Sequence, residues 1–284
     1  MRRFLISVIS VCASCLVLDA QTASSLFWRK DSLQVKEIVS ELSDQYRKVG
    51  HHGPAVENSH MALRLYFNNS GAIDVYSKAA RGMELLKYLW YPTASQQEQD
   101  GAGCDEYKVG STVGLGGIAL WDGTKEVKLV ATEGRTARVG DTKKGSYAEM
   151  IAYGVEYMDG KVDVSIRIDV NAKRREAVVT ASELNGRKVC FLTGVNYHKG
   201  QHVFSGEGYA GVWGVHPADV SASPIPIGAG IWFDEKDFTP VEKTGNMMRI
   251  ISRPSSKIRT KIISASTKEA ELNNARRFEA FMAK

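Results

Sequence analysis

The sequence predicts a mainly β protein: an antiparallel, supersandwich-like β-sandwich with one helix near each end. Short segments in which apolar and polar residues alternate follow one another from residue 61 onward. Turn pairs such as Asp122-Gly123, Asp159-Gly160 and Asn185-Gly186 separate them, with almost no helical pattern between. Many short strands joined by polar turns favour antiparallel sheets over a parallel α/β sheet.

The alternating segments give the predicted strands. In chain order these are 61–67, 72–78, 112–121, 127–132, 136–139, 146–157, 162–170, 176–184, 188–197, 208–213, 227–233, 247–252 and 260–266. Asn68-Asn69-Ser70-Gly71 joins the first two and is typical of a hairpin.

Two helices are predicted outside the strands. Apolar residues at helical spacing predict a helix over residues 32–48 and a second over 267–282, the latter capped by Ser266 or Thr267. We therefore expect a signal peptide at 1–20, an N-terminal helical segment at 21–50 and a single β-sandwich catalytic domain at 51–284.

The first twenty residues have the pattern of an export signal. Arg2 and Arg3 precede an apolar run over 4–18, and Ala20 precedes the expected cleavage point. The run is shorter than the roughly 20 residues that a membrane span needs. We expect a periplasmic or secreted mature protein without a membrane span. An uncleaved anchor, or a lipoprotein attached through a cysteine of the run, stays open.

Composition limits the classes of partner. The chain of 284 residues has a formal net charge of +5, and its densest basic run, Lys173-Arg174-Arg175, looks like a turn between strands. We therefore expect no nucleic-acid partner, although weak attraction to acidic polysaccharide stays open. Cys104 and Cys190 remain after signal removal, and whether they form a disulfide is open.

The densest group of functional residue types begins at His52. Its imidazole suits proton transfer near neutral pH, and Glu57 could orient the imidazole or bind a hydroxyl. Strand parity places Arg64 with Tyr66 on one face, and Asp74 with Tyr76 and Lys78 on one face. If the two strands pair, these five residues form one polar, aromatic surface; a solvated sheet face is the alternative.

A second group lies near the end of the predicted strand 188–197. Tyr197 and His198 stand together, and His216 lies in a proline-rich loop. His198 and His202 have a spacing that could bind zinc on a helix, but Gly200 between them favours a loop, so we expect no metal.

Long loops supply the remaining candidates for substrate binding. Trp90 precedes the polar loop 92–110, where its ring could stack on a sugar, and Asp105 lies within that loop. The glycine run 114–117 sits in a predicted strand with no helix after it, which argues against a nucleotide site.

Several motifs resemble a known family. These are residues 52–58 (HGPAVEN), 64–67 (RLYF) and 73–78 (IDVYSK), with Gly103-Cys104-Asp105, Lys108-Val109-Gly110, Gly134-Arg135-Thr136 and Tyr197-His198. They resemble a family of secreted bacterial proteins, catalogued mainly as a domain of unknown function, over roughly residues 50–284. The family is associated with polysaccharide-utilisation systems and includes an oligosaccharide dehydratase of ulvan breakdown. The resemblance implies removal of water from a terminal uronic acid.

Such an elimination needs a group that neutralises the uronate, a base for the C5 proton and an acid for the leaving oxygen. Arg64 or Arg135 could serve as the first, and His52 or His198 as the base. Tyr66, Tyr197 or the other histidine could serve as the acid. The scheme requires no cofactor. A glycoside hydrolase using Glu57 and Asp105, or a non-catalytic periplasmic glycan-binding protein, is the alternative.

Overall fold

The computed structural model describes residues 21–78, 80–89, 92–218 and 224–284, with the backbone alone at Cys104 and Asp105. These residues form nineteen strands, a short 3-10 helix over Gly50–His52 and two α-helices, α1 (Ala94–Gln99) and α2 (Ala275–Met282). In chain order the strands are β1 (Thr22–Ser25), β2 (Glu37–Ser40), β3 (Ala55–Asn58), β4 (Ala62–Leu65), β5 (Ile73–Ser77), β6 (Cys104–Asp105), β7 (Ala119–Trp121), β8 (Glu126–Val127), β9 (Arg135–Thr142), β10 (Gly145–Tyr157), β11 (Gly160–Asn171), β12 (Ala177–Glu183), β13 (Phe191–Asn196), β14 (His202–Gly206), β15 (Tyr209–Gly214), β16 (Ile227–Trp232), β17 (Glu242–Lys243), β18 (Met247–Ile251) and β19 (Lys257–Ser266).

The described strands form three sheets in which neighbouring strands run antiparallel. The first sheet has the order β1-β3-β4-β5-β6. The large sheet has nine strands in the order β14-β15-β16-β19-β12-β11-β10-β9-β2, and the third sheet has the order β17-β18-β13-β7-β8. The predicted antiparallel, mainly β architecture is confirmed.

The two smaller sheets pack on one face of the large sheet. β3 contacts β10 and β11, whereas β13 contacts β15 and β16. Leu63, Ile166 and Phe191, one from each sheet, belong to the same buried hydrophobic core. The arrangement is therefore a sandwich in which the nine-stranded sheet forms one layer.

The helix α2 packs on the opposite, outer face of the large sheet. Phe278 and Met282 are buried there with Trp213 and Ile263. The prediction of a C-terminal helix is confirmed, but its predicted start was wrong. The chain stays in β19 through residue 266, and the helix begins only after Asn274, whose side chain accepts the N–H of residue 277 as a cap.

The predicted helix over residues 32–48 was wrong. Residues 37–40 instead form β2, the edge strand that pairs with β9. Ile38 is buried, whereas Leu33 and Val39 are 67% and 69% exposed, so the apolar residues do not share one helical face. Because β1 also pairs with β3, the segment 21–50 is built into two of the sheets.

The predicted strand over residues 112–121 was too long. Gly114 and Gly116 have φ values of +69° and +66°, in the left-handed region that interrupts an extended strand. Only Ala119–Trp121 pairs as a strand there. The predicted strand 127–132 is likewise reduced to Glu126–Val127.

Candidate functional site

The first sheet carries the polar surface that strand alternation predicted. β4 and β5 pair so that Arg64 lies opposite Asp74. Tyr66 continues the same side of β4, and Lys78 follows β5 on the side of Tyr76. The register therefore confirms that the five side chains share one face.

This face is buried, so it is not the solvated sheet face that was the alternative. The carboxylate of Glu57, on the neighbouring β3, accepts the backbone N–H groups of Glu84 and Leu85 at 2.9 Å each. It also forms a 2.6 Å ion pair with Lys78, and the two side chains are 0% and 2% exposed. Glu57 and Lys78 thus anchor the segment 80–89 over the sheet.

A buried ion pair lies at the next position of the same face. Nη2 of Arg64 lies 2.5 Å from Oδ2 of Asp74, and the Tyr66 hydroxyl donates to that oxygen at 2.7 Å. Tyr107 follows β6 and is fully buried. Burial, and then the negative charge of Asp74, raises the pKa of Tyr107 well above its ordinary value, so its hydroxyl stays protonated.

Two consecutive histidines have a strained backbone beside this pair. The φ angles are +53° for His51 and +63° for His52, a conformation that costs non-glycine residues about 1–3 kcal/mol each. Nε2 of His51 lies 3.2 Å from the carbonyl oxygen of Leu85, which helps to hold the turn. At Gly53 a Cβ would lie 2.0 Å from the carbonyl oxygen of Leu65, so only glycine fits. Such strain clusters at functional sites.

The packing of His52 defines its protonation. Its ring stacks on Tyr46 with centroids 3.8 Å apart and meets Tyr66 edge-on at 5.9 Å. Nδ1 lies 3.1 Å from the Tyr46 carbonyl oxygen, which can only accept, so Nδ1 carries the proton. Burial is the main reason that the pKa of His52 is lowered to about 4. The hydrogen bond to Tyr46 raises this pKa, and the positive charge of Arg64 lowers it further.

His198 and His216 share the backbone of Lys108. The N–H of Lys108 donates to Nδ1 of His216 at 3.2 Å, whereas its carbonyl oxygen lies 2.9 Å from Nε2 of His198. The proton of neutral His216 is therefore on Nε2, and that of neutral His198 is also on Nε2. Burial, and then electrostatic interaction with the nearby His198, lowers the pKa of His216 to about 3.

Hydrogen bonds, ring contacts and one electrostatic interaction connect these groups. The ring of Tyr107 lies against that of His216 with centroids 4.5 Å apart, and the charge of Asp74 acts on the Tyr107 hydroxyl to raise its pKa. We use the name imidazole–tyrosine network for His52, Arg64, Tyr66, Asp74, Tyr107, His198 and His216. The network unites five of the site residues predicted from the sequence.

Two other predicted site residues lie elsewhere. The Tyr197 hydroxyl donates to the carbonyl oxygen of Thr244, away from the network. Arg135 is fully buried, and its guanidinium donates to the carbonyl oxygens of Ser43, at 2.9 Å, and Leu129. Burial lowers the pKa of Arg135 to about 10. The guanidinium of Arg135 therefore supports the backbone at Ser43 and Leu129. Neither Arg135 nor Tyr197 is part of the network.

Of the remaining predicted residues, two lie beside the network, and the other two have side chains outside the described atoms. Glu57 and Lys78 lie on the buried face beside the network, but they bind each other. The backbone of Asp105 pairs with Tyr76, and its side chain is outside the described atoms. Trp90 lies outside the described residues.

Sequence reasoning did not assign site roles to Tyr46, Asp74 and Tyr107. Asp74 was visible as a member of the polar face. Tyr107 lies two positions after Asp105 in a segment predicted to be a loop, and only the pairing of β6 with β5 brings it near Asp74. Tyr46 gave no usable signal because its segment was predicted to be helical.

Other features of the described part of the chain concern metals, membranes and thiols. No three His, Cys, Asp or Glu side chains there are grouped to hold a metal ion. His202 lies 2.8 Å from Glu279 of α2, not with His198. None of the helices in the described ranges has the length and apolar character to cross a membrane. Cys190 is a free thiol, and the side chain of Cys104 is outside the described atoms.

Comparisons with known proteins identify a family. No curated protein matches this chain. Among solved structures, the chain is similar to the 4-α-glucanotransferase from Thermococcus litoralis, with 9% identity and a TM-score of 0.37. The match covers 82% of this chain but 42% of that enzyme, so the chain spans less than half of the enzyme's length. A family model matches residues 15–284, and the chain therefore belongs to the family described as a domain of unknown function (DUF4861).

Proposed function

We propose that the protein is a carbohydrate-active enzyme that eliminates water, or a glycosidic leaving group, from a uronate-containing oligosaccharide. The imidazole–tyrosine network is the proposed site of proton transfer. One observation carries the proposal: the backbone N–H and carbonyl oxygen of Lys108 orient two histidines, one as a hydrogen-bond acceptor and the other as a donor. His198 is left with the lone pair of Nδ1, for which the described residues supply no partner, and His216 is left with the N–H of Nε2, likewise unpaired among them.

The elimination needs one base and one acid, which we assign to His198 and Tyr66. Nδ1 of His198 takes the C5 proton, and the electrons of that C–H bond form the C4–C5 double bond. The C4–O bond breaks, and a proton from Tyr66 converts the leaving oxygen to water or to a free sugar hydroxyl. Each positioned acid or base contributes about 10²–10⁴ in rate. His52, whose lone pair lies on Nε2, is the second candidate for the base.

The charge state of the network suits proton transfer. Arg64 lies at the centre of the network, where its charge is paired with Asp74, whose carboxylate also accepts the Tyr66 hydroxyl. Because the pKa values of His52 and His216 are lowered to about 4 and about 3, both rings are neutral at ordinary pH. The network therefore presents neutral imidazoles around one buried ion pair.

The geometry argues against hydrolysis through Glu57. Its carboxylate is fully buried and already binds Lys78 and two backbone N–H groups. A catalytic carboxylate must reach the glycosidic oxygen or the anomeric carbon. Elimination is therefore the better-supported reaction. Export of the mature chain to the periplasm or the medium is part of the proposal, and residues 1–20 lie outside the described part of the chain.

A panel of oligosaccharides with terminal glucuronate, galacturonate, mannuronate or guluronate tests the proposal. The unsaturated product is followed by the ultraviolet absorbance of its conjugated double bond and identified by mass spectrometry. Loss of one water, or cleavage with an unsaturated end, supports the proposal. Saturated products indicate a hydrolase. Binding by calorimetry without any product indicates a glycan-binding protein, and either of these results overturns the proposal.

A further inference from the structure

A basic groove outside the imidazole–tyrosine network begins at one end of the large sheet and continues onto its outer face. Two adjoining depressions, of about 890 and 580 Å³, lie where the hairpin turn after β9 meets the turn after β11. Their shared lining includes Lys143, Lys144, Asn171 and Arg174. On the side of β19 the lining continues with Arg259 and Lys261. None of these residues belongs to the network.

The groove holds most of the excess positive charge of the protein. Seven basic and three acidic residues line the two depressions, whereas the whole chain has a net charge of +5. Arg174 pairs with Glu176 and Arg175 pairs with Glu269. The other five, for which the described residues supply no carboxylate partner, are Lys143, Lys144, Lys173, Arg259 and Lys261.

The strand pattern places like charges side by side on this face. Lys257, Arg259 and Lys261 alternate along β19 with buried residues, and all three are exposed. Across β12 from Lys261 lies the acidic residue Asp169. Its carboxylate already accepts hydrogen bonds from Nε and Nη2 of Arg167. Like charges on neighbouring positions of one sheet face destabilise it slightly. An anionic ligand would relieve this repulsion.

The lining favours a polymer that carries both charges and hydroxyl groups. The cations are spread along the groove rather than gathered around one point, which suits a chain of repeated acidic groups. Neutral polar residues, including Asn171 and Thr180, stand between them and can bind hydroxyls. Among the described residues, no aromatic side chain lines either depression, so bases of a nucleic acid find no stacking platform there. The lining residues that the structure describes likewise include no large exposed apolar side chain to enter a membrane.

We propose that this groove binds an acidic polysaccharide, through its carboxylate or sulfate groups, at a site separate from the network. The groove would hold the polymer against the protein by charge and hydroxyl contacts, with no chemistry of its own. Binding of this kind weakens as salt screens the charges, since the lysine and arginine side chains are exposed.

Affinity electrophoresis of the mature protein tests the proposal, with polygalacturonate, dextran sulfate, neutral dextran or single-stranded DNA in the gel. The variant Lys143→Gln/Arg259→Gln/Lys261→Gln removes three groove charges. The control Lys48→Gln/Lys188→Gln/Lys236→Gln removes three exposed charges elsewhere. Melting temperatures check that both variants fold.

We expect retardation by polygalacturonate, by dextran sulfate or by both, which separates carboxylate from sulfate recognition, and none by neutral dextran. The groove variant should bind about tenfold more weakly or worse, while the control binds like the wild type. Equal binding by both variants would overturn the proposal. So would absence of binding to both acidic polysaccharides at low salt, or tighter binding to DNA than to either of them.

Discussion

His198 and His216 lie with ring centroids 4.9 Å apart, in an edge-to-face arrangement, and both bind the backbone of the same residue. A backbone N–H can only donate and a carbonyl can only accept, so the two rings cannot exchange their hydrogen-bonding roles. His198 presents the lone pair of Nδ1, and His216 presents the N–H of Nε2. The arrangement places a base and a donor side by side without any ionised carboxylate between them.

Removal of the Tyr66 hydroxyl separates catalysis from stability. In Tyr66→Phe the ring remains in contact with His52, but the proton donor and one hydrogen bond to Asp74 are lost. We expect kcat to fall by about 10²–10⁴ and the free energy of unfolding to fall by only about 1 kcal/mol. Kinetics on the uronate substrate and urea denaturation measure the two effects.

The matched control is Tyr209→Phe, because Tyr209 lies in the cluster under α2. It should retain the wild-type kcat. A Tyr66→Phe variant with unchanged kcat would remove Tyr66 from the reaction.

Stability should decrease as the pH falls from 7 to 5. Burial lowers the pKa of His51 and His216 to about 3 and that of His52 to about 4, below the ordinary value of 6.5. The unfolded chain therefore takes up protons in this range while the folded chain does not, which favours unfolding. Each histidine should contribute a loss on the order of 1–2 kcal/mol between pH 7 and pH 5.

Urea denaturation at the two pH values measures this loss. His216→Gln should show a smaller decrease than the wild type, and His202→Gln, at an exposed position, should show the full decrease. Equal unfolding free energies at pH 7 and pH 5 in the wild type would contradict the burial of neutral histidines.

The buried pair of Glu57 and Lys78 should be costly to break. Lys78→Met leaves the Glu57 carboxylate buried without its cation, so we expect the free energy of unfolding to fall by about 3–5 kcal/mol. The double variant Glu57→Gln/Lys78→Met removes both charges, and its free energy of unfolding should fall by less than that of Lys78→Met. Lys161→Met is the control, because its pair with Glu133 is exposed and should be worth about 0–1 kcal/mol. A loss in Lys78→Met no larger than in the control would contradict the pairing.

Strand alternation predicted the pairing of β4 with β5 correctly, because a period of two together with a hairpin turn leaves few registers. It could not predict that the polar face is buried. That burial depends on the contacts of Glu57 with Glu84 and Leu85, which join residues far apart in the sequence. The helix over 32–48 was mispredicted because its spacing fits a helix locally, whereas pairing with β9 decides the structure.

The site could be predicted only in part. His52, Arg64 and Tyr66 are close in sequence, so one motif revealed them together. Their link to His198 passes through Tyr107 and His216, and no local pattern encodes that contact. Arg135 was a reasonable candidate by residue type, but its hydrogen bonds to backbone carbonyls are set by the tertiary structure.

The most direct test of the central claim is the rate of unsaturated-product formation by the wild type, His198→Gln and His202→Gln on uronate-terminated oligosaccharides. The wild type and His202→Gln should form the product at the same rate, because His202 lies on β14 beside α2. His198→Gln should lower kcat by about 10²–10⁴ while its unfolding transition stays cooperative. A folded wild-type protein that forms no unsaturated product from any uronate, or a His198→Gln variant with wild-type kcat, would contradict the claim.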